Sequence, residues 1–210
     1  MKNLKFMDFC SGIGGGRIGL ENLGMSCLGF SEIDKDAEIT YRYFFGDNEI
    51  NYGNLMKINP NDLPDFDFMV GGFPCQTFSI IGNRCGLEDE ERGQIIYGLA
   101  RILKAKNIKY FILENVKGLI NHEKGNTLKT ILELLSNIGY KVYYETLNSI
   151  NFGVPQMRER VYFVGIRKDL INDDFKYEFP KKYNGDAKSL KECLIDDEEL
   201  TFDERLPSYQ

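Results

Sequence analysis

From Leu4 to Leu147 the chain alternates short apolar runs with stretches whose apolar residues recur at helical spacing. A short apolar run between turn formers builds a buried strand. A helix-period segment between two such runs lets the second strand return parallel to the first. On this reading Leu4–Phe9 is a strand, followed by a glycine turn and a helix to about Leu23. Ser26–Ser31 is the second strand and Lys35–Phe45 the next helix, with Phe66–Val70 and Tyr110–Leu113 as further strands. Ile95, Leu99, Ile102 and Leu103 share one helical face; Leu128, Ile131, Leu132, Leu135 and Ile138 share another, with Gly139 as its stop. Lys141–Leu147 and Arg160–Ile166 follow with no room for a crossover helix between them, so they are expected to pair antiparallel. The predicted fold class is α/β: a doubly wound, mostly parallel sheet that ends in an antiparallel hairpin. Periodicity fades from about Asn172, which divides the chain into a domain over 1–170 and a polar extension over 171–210.

A length of 210 residues, 42% of them hydrophobic, suits one globular domain with a buried core. No apolar run is long enough to cross a bilayer, and the N-terminus lacks the layout of a signal peptide. The five cysteines, Cys10, Cys27, Cys75, Cys85 and Cys193, form no C-x-x-C pair. This argues against a disulfide framework or a zinc knuckle and for a reducing cytoplasm. The single histidine, His122, sits in a polar turn and reads as a solvated loop residue; no metal site is expected. The net charge is −6, with acid concentrated in Asp196-Asp197-Glu198-Glu199. A protein that grips duplex DNA by itself usually presents a basic face. Here Arg158, Arg160, Arg167, Lys168, Lys181 and Lys182 make no long stripe.

Five segments carry chemistry. Phe6–Gly16 is a strand feeding a glycine turn that opens a helix, a layout in which backbone can approach a ligand closely. Glu32, in Ser31–Asp34 at the end of the second strand, lies about 20 residues on, where a carboxylate can accept ribose hydroxyls. Alone, these two pieces equally describe a nicotinamide site, or a turn that only packs. Gly71-Gly72-Phe73-Pro74-Cys75 places a thiol in a turn after an apolar strand; Leu113–Val116 holds Glu114; Gln156–Arg160 holds Arg158 and Arg160. Individually these are an ordinary buried cysteine, an uninformative tripeptide and a solvated basic turn. Together, each falls at a strand end on one edge of the sheet.

Their order and spacing, over roughly residues 4–167, resemble the catalytic core of the cytosine-5 DNA methyltransferases. The resemblance implies a Rossmann-like S-adenosylmethionine-dependent fold, distinguished from a dehydrogenase by its final antiparallel hairpin. It implies a cofactor pocket built from Cys10, Gly12, Ile13, Gly14, Gly15, Glu32, Ile33, Asn54, Leu55, Pro74 and Ile95. Two positions depart from the family pattern: Cys10 stands where an aromatic residue usually stacks on adenine, and Asn54 where an aspartate often accepts the adenine amino group. Cys75 is the expected nucleophile. A free thiol titrates near ~8.5 and needs help to react at neutral pH. Addition of the thiolate to carbon 6 of cytosine makes carbon 5 an enamine carbon able to take a methyl group. Glu114 would serve ring nitrogen 3 and Arg160 the ring carbonyl oxygen, with Arg158 in support.

The polar segment between Gln76 and Gly93 is expected to close on DNA while the target base is swung out of the stack, with Asn83, Arg84 and Arg92 as phosphate contacts. Too few residues follow Arg167 for both the recognition domain and the closing segment that the family places there. Ser189–Leu194 resembles the lead-in to the former. The expected protein is therefore the catalytic subunit of a split enzyme of a restriction-modification system, or a truncated piece. The expected partners are double-stranded DNA and a second, recognition-bearing chain, with no membrane and a place on the bacterial nucleoid. The alternatives are a catalytically silent, regulatory subunit and an RNA cytosine-5 methyltransferase.

Overall fold

The computed structural model describes residues 4–73, 95–183, 185 and 189–193. Six strands form one sheet in the order β2-β1-β3-β4-β6-β5: β1 (Lys5–Phe9), β2 (Ser26–Ser31), β3 (Phe68–Gly72), β4 (Tyr110–Val116), β5 (Tyr140–Asn148) and β6 (Glu159–Arg167). β1 pairs parallel with β2 and β3, and β3 with β4. β6 enters between β4 and β5 and runs antiparallel to both. The expected α/β fold with a terminal antiparallel hairpin is what forms.

Alternation along each strand sends side chains to opposite faces, and the helices divide accordingly. Met7, Phe9, Met69, Phe111, Leu113, Val161 and Phe163 lie in one core cluster with residues of α3 (Ile95–Ala105) and α4 (Asn126–Asn137). Phe6 and Val70 pack instead with Leu20 of α1 (Gly15–Glu21). α2 (Lys35–Phe45) joins that second face, where Tyr41 stacks on Phe30 at 3.9 Å between ring centroids. Asp34 starts α2 by accepting from the backbone N–H groups of Asp36 and Ala37. Gly139, at φ 100, follows the end of α4 as expected. Gly14, at φ 91, opens α1, and a Cβ there would overlap the Phe45 ring.

Two strand boundaries move the site. β3 begins at Phe68 rather than Phe66 and continues through Gly71-Gly72, because glycine's missing side chain hides strand propensity from an apolar pattern. β4 runs on to Val116, so Glu114 and Asn115 belong to the strand itself. Beyond β6, residues 172–183 lie along β5 despite lacking periodicity. Tyr143 donates to the Phe175 carbonyl at 2.9 Å, Lys141 Nζ donates to the Asp173 carbonyl at 3.1 Å, and the Tyr143, Phe175 and Tyr177 rings pack together. Aromatic spacing in an irregular segment follows no fixed period, so it left no signature. No helix among the described residues is long and apolar enough to cross a membrane.

Candidate active site

The four parallel strands and β5 present their carboxyl ends on one edge of the sheet, where ligands of open α/β sheets bind. At that edge β4 and β6 are in register with Glu114 opposite Tyr162 and Val116 opposite Arg160. Directly opposed residues, and those two apart, share a face, so Glu114 and Arg160 meet diagonally across the two strands. Arg160 Nε donates to Glu114 Oε1 at 2.8 Å, with both side chains partly solvent-accessible. Gly72 opposes Glu114 from the other side, where a Cβ would make an ordinary 3.5 Å contact with Glu114 Oε2. Tyr162, half-buried, has its hydroxyl pushed above the usual tyrosine range, first by burial and then by Glu114. Arg158 is exposed; its backbone N–H donates to Asn148 Oδ1 at 3.1 Å, closing the β5–β6 connection.

Asn115 points the other way and is buried. Its Nδ2 donates to the Phe73 carbonyl at 2.8 Å, and its Oδ1 accepts from the Val116 N–H at 2.7 Å. It thus ties the exit of β3 to β4 just before Pro74 and Cys75. Pro74, Cys75, the expected DNA-closing segment with Asn83, Arg84 and Arg92, and the acidic run at 196–199 lie outside the described residues. Asn115 was not singled out in the sequence. Its signal was a polar residue in step with apolar Phe111 and Leu113 on the buried face of the strand, where an amide must find partners.

Gly12, Glu32 and Asn54, expected to hold the cofactor, lie toward the β1–β2 end. Glu32 is held by three backbone donors: Gly12 N–H to Oε2 at 2.8 Å, and the N–H groups of Ile33 and Asp34 to Oε1 at 2.8 and 2.9 Å. These occupy three of about four acceptor positions on a carboxylate, leaving about one for a ligand hydroxyl. Above the turn, a Cβ on Gly12, Gly15 or Gly53 would meet nothing within 4 Å, and Ile13 and Ile33 stand exposed at its sides. Asn54 caps a short 3-10 turn, Leu55–Lys57, its Oδ1 accepting from the Met56 N–H at 2.9 Å. One lone pair of that oxygen remains. Leu55 is buried against α3 near Gly98, and Ile95, half-buried, begins that helix. Cys10 adopts φ 51 and is half-buried. Burial, then Glu32 and Asp8, pushes its thiol up to about 12; burial pushes Cys27 to about 11. Neither therefore offers a thiolate near neutrality.

Beneath the turn lies a charged pair that sequence reasoning passed over. Arg17 is buried, bonds Glu21 at 2.8 Å and Glu49 at 2.9 Å, and lies 4.2 Å from the Phe45 ring centroid. Asp8, buried on β1, has one carboxylate oxygen without a hydrogen-bond partner. Burial lifts its carboxyl well above the usual range; the Arg17 charge opposes the rise and Glu32 adds to it. The folded protein therefore holds the Asp8 proton more tightly than the unfolded chain does, where the value is ~3.9. That stabilisation is complete below the ordinary carboxylate range and is lost as pH rises through the folded value. Denaturant titrations of wild type and Asp8→Asn should diverge in the variant's favour between pH 4 and pH 8. A difference constant over that range would contradict a raised carboxyl. His122 is half-buried rather than solvated, its Nδ1 2.6 Å from Thr127 Oγ1.

The structure brings Glu114 and Arg160 together at one end of the edge, and Gly12, Glu32, Asn54 and Leu55 at the other. The family model for C-5 cytosine-specific DNA methylases matches residues 4–206, past Arg167 where the motifs end. The chain is 46% identical over 186 residues to the orphan methyltransferase M.SPRI of Bacillus phage SPR, covering 87% of this chain and 42% of that protein. It is 42% identical over 205 residues to the type II methyltransferase M.NgoBI of Neisseria gonorrhoeae, covering 98% and 60%. A solved Spodoptera frugiperda DNMT2 superposes with a TM-score of 0.69 at 24% identity, over 92% of this chain and 60% of that one, a likeness of fold. The chain spans between 42% and 60% of the lengths of these two curated relatives.

Proposed function

The chain belongs to the C-5 cytosine-specific DNA methylase family, and from that premise we propose that it methylates carbon 5 of a cytosine in DNA through a transient bond to Cys75. The observation that carries the reading is the 2.8 Å contact of Arg160 with Glu114 on the strand next to the one that leads to the cysteine. Gly12, Glu32, Asn54 and Leu55 would hold S-adenosylmethionine in the open space over the glycine turn, which fits a nucleoside with a charged tail. When bound, this cofactor supplies an electrophilic methyl group.

The protein's part begins with the Cys75 thiolate bonding to carbon 6, which pushes an electron pair into the ring. Glu114 gives a proton or hydrogen bond to nitrogen 3 as charge grows there, and Arg160 stabilises the carbonyl oxygen. Carbon 5, now enamine-like, takes the methyl group. Removal of its proton by a base then restores the double bond and expels the thiolate, and nitrogen 3 returns its proton. High thiol values at Cys10 and Cys27 support assigning the chemistry to another cysteine.

The test uses duplex DNA containing 5-fluorocytosine, whose carbon 5 carries no removable proton. With S-adenosylmethionine present, a covalent protein–DNA band should survive denaturation and vanish in Cys75→Ser. A band that persists in Cys75→Ser would overturn the reading, as would no band once a recognition-bearing chain is supplied and cofactor binding is measured. Trapping on tRNA in preference to duplex DNA would favour an RNA substrate. The proposal extends to a second chain for target recognition in a restriction-modification system, in keeping with a net charge of −6 and basic residues that make no long stripe. Sequence-specific methylation by these 210 residues alone would refute that dependence.

A further inference from the structure

We infer that Asn51 is a positioning residue for the cofactor, joining the segment that carries Glu32 to the segment that carries Asn54; the inference rests on the proposed S-adenosylmethionine site. Asn51 lies outside every motif found in the sequence. Its Oδ1 accepts two backbone bonds, from the Glu32 N–H at 3.1 Å and the Gly53 N–H at 2.8 Å. Its Nδ2 donates to the Glu32 carbonyl at 3.1 Å. One amide thereby fixes both backbone polar groups of Glu32 and the residue before Asn54.

The rest of the neighbourhood depends on the same arrangement. Residue 51 forms a parallel bridge with Phe30, adding a short extension outside β2. The Phe30 N–H donates to the Ile50 carbonyl at 3.0 Å and the Tyr52 N–H to the Phe30 carbonyl at 2.8 Å. Ser31 Oγ donates to the Gly53 carbonyl at 2.6 Å. Gly29 permits the approach, since a Cβ there would stand 2.9 Å from the Tyr52 ring and 3.0 Å from the Ile50 carbonyl. Glu32 retains about one open acceptor position, and Asn54 reaches its place only through Gly53. A small shift of segment 51–54 against Glu32 therefore misaligns the ribose and adenine contacts together. It leaves Glu114, Arg160 and Asn115 untouched, because those sit on strands three and four places from β2 across the sheet.

The experiment measures calorimetric affinity for S-adenosylhomocysteine and for methylthioadenosine, which lacks the amino-acid end, on wild type, Asn51→Ala, Asn51→Asp and Gly29→Ala. Asn51→Ala should weaken both ligands by the same factor, ~10-fold or more, and raise the KM for S-adenosylmethionine with kcat within about twofold, as loss of binding made equally in ground and transition states requires. Asn51→Asp keeps the acceptor oxygen but sets a carboxylate oxygen against the Glu32 carbonyl and beside Glu38, so its affinity should match or fall below that of Asn51→Ala. Gly29→Ala, which displaces the same segment from the other side, should repeat the Asn51→Ala defect. Unchanged affinities in a folded Asn51→Ala protein would overturn the inference, as would a kcat loss with constant KM. Wild type that binds neither ligand would refute the cofactor site itself, which separates the two failures.

Discussion

Arg160→Ala should lower methyl transfer by ~100-fold or more while leaving the affinity for S-adenosylhomocysteine within about twofold. Arg160 Nε is the donor to Glu114 Oε1, and the two side chains face each other across strands that touch no part of the Gly12–Glu32 end. Charge-assisted contacts of this kind act most where charge develops during reaction. On the proposed mechanism, removing the guanidinium takes the stabilising group from the ring oxygen, and it leaves Glu114 without the Arg160 contact. Arg160→Lys should remain impaired, since an ammonium on a flexible stem cannot hold a carboxylate and a carbonyl oxygen with one planar fork. Steady-state kinetics with saturating cofactor, beside calorimetry, reads both quantities. A variant with near-normal kcat would remove Arg160 from the reacting centre.

Asn115→Ala should cost both stability and rate. The buried Asn115 side chain bonds the Phe73 carbonyl and the N–H of the exposed Val116, and alanine removes a partner from each. Removing the partner of a buried polar group costs about 1–3 kcal/mol, and a loss of that size is expected from urea unfolding. The catalytic consequence follows from position: Phe73 is the residue before Pro74, and its carbonyl is the last described anchor ahead of Cys75. At temperatures where the variant remains folded, kcat should still fall at least ~10-fold, because small displacements of a nucleophile are costly. Asn115→Asp separates the two effects. It retains the acceptor for Val116 but sets a carboxylate oxygen against the Phe73 carbonyl, so its rate defect should match or exceed that of alanine. Normal trapping of 5-fluorocytosine DNA by a folded Asn115→Ala protein would contradict the anchoring role.

Much of this was readable before any coordinates. Parallel strands buried on both faces must be apolar, and the helices between them must carry an apolar stripe, so strands and helices announced themselves in order. The hairpin was legible from the short interval between Leu147 and Arg160 alone. Gly71-Gly72 and Glu114-Asn115 were placed outside their strands for one reason: neither glycine nor a polar pair carries the apolar signal of a buried strand, although their backbones complete the ladder. Asp8, Arg17 and Asn115, which are buried, and Asn51, which is half-buried, went unread because such polar residues are defined by their partners, and partners distant in sequence leave no local mark.

Local chemistry in the sequence thus determined the element order, the glycine turn, the acid after the second strand and the reactive residue types at the strand ends. Tertiary structure alone decided that β6 inserts beside β4 with Val116 opposite Arg160, which brings a guanidinium to Glu114. It alone decided that an amide at residue 51 joins Glu32 to Gly53, the two segments proposed for the cofactor. Pairing register and side-chain partnership between distant segments come from packing the whole sheet at once, and no short window of residues contains that information.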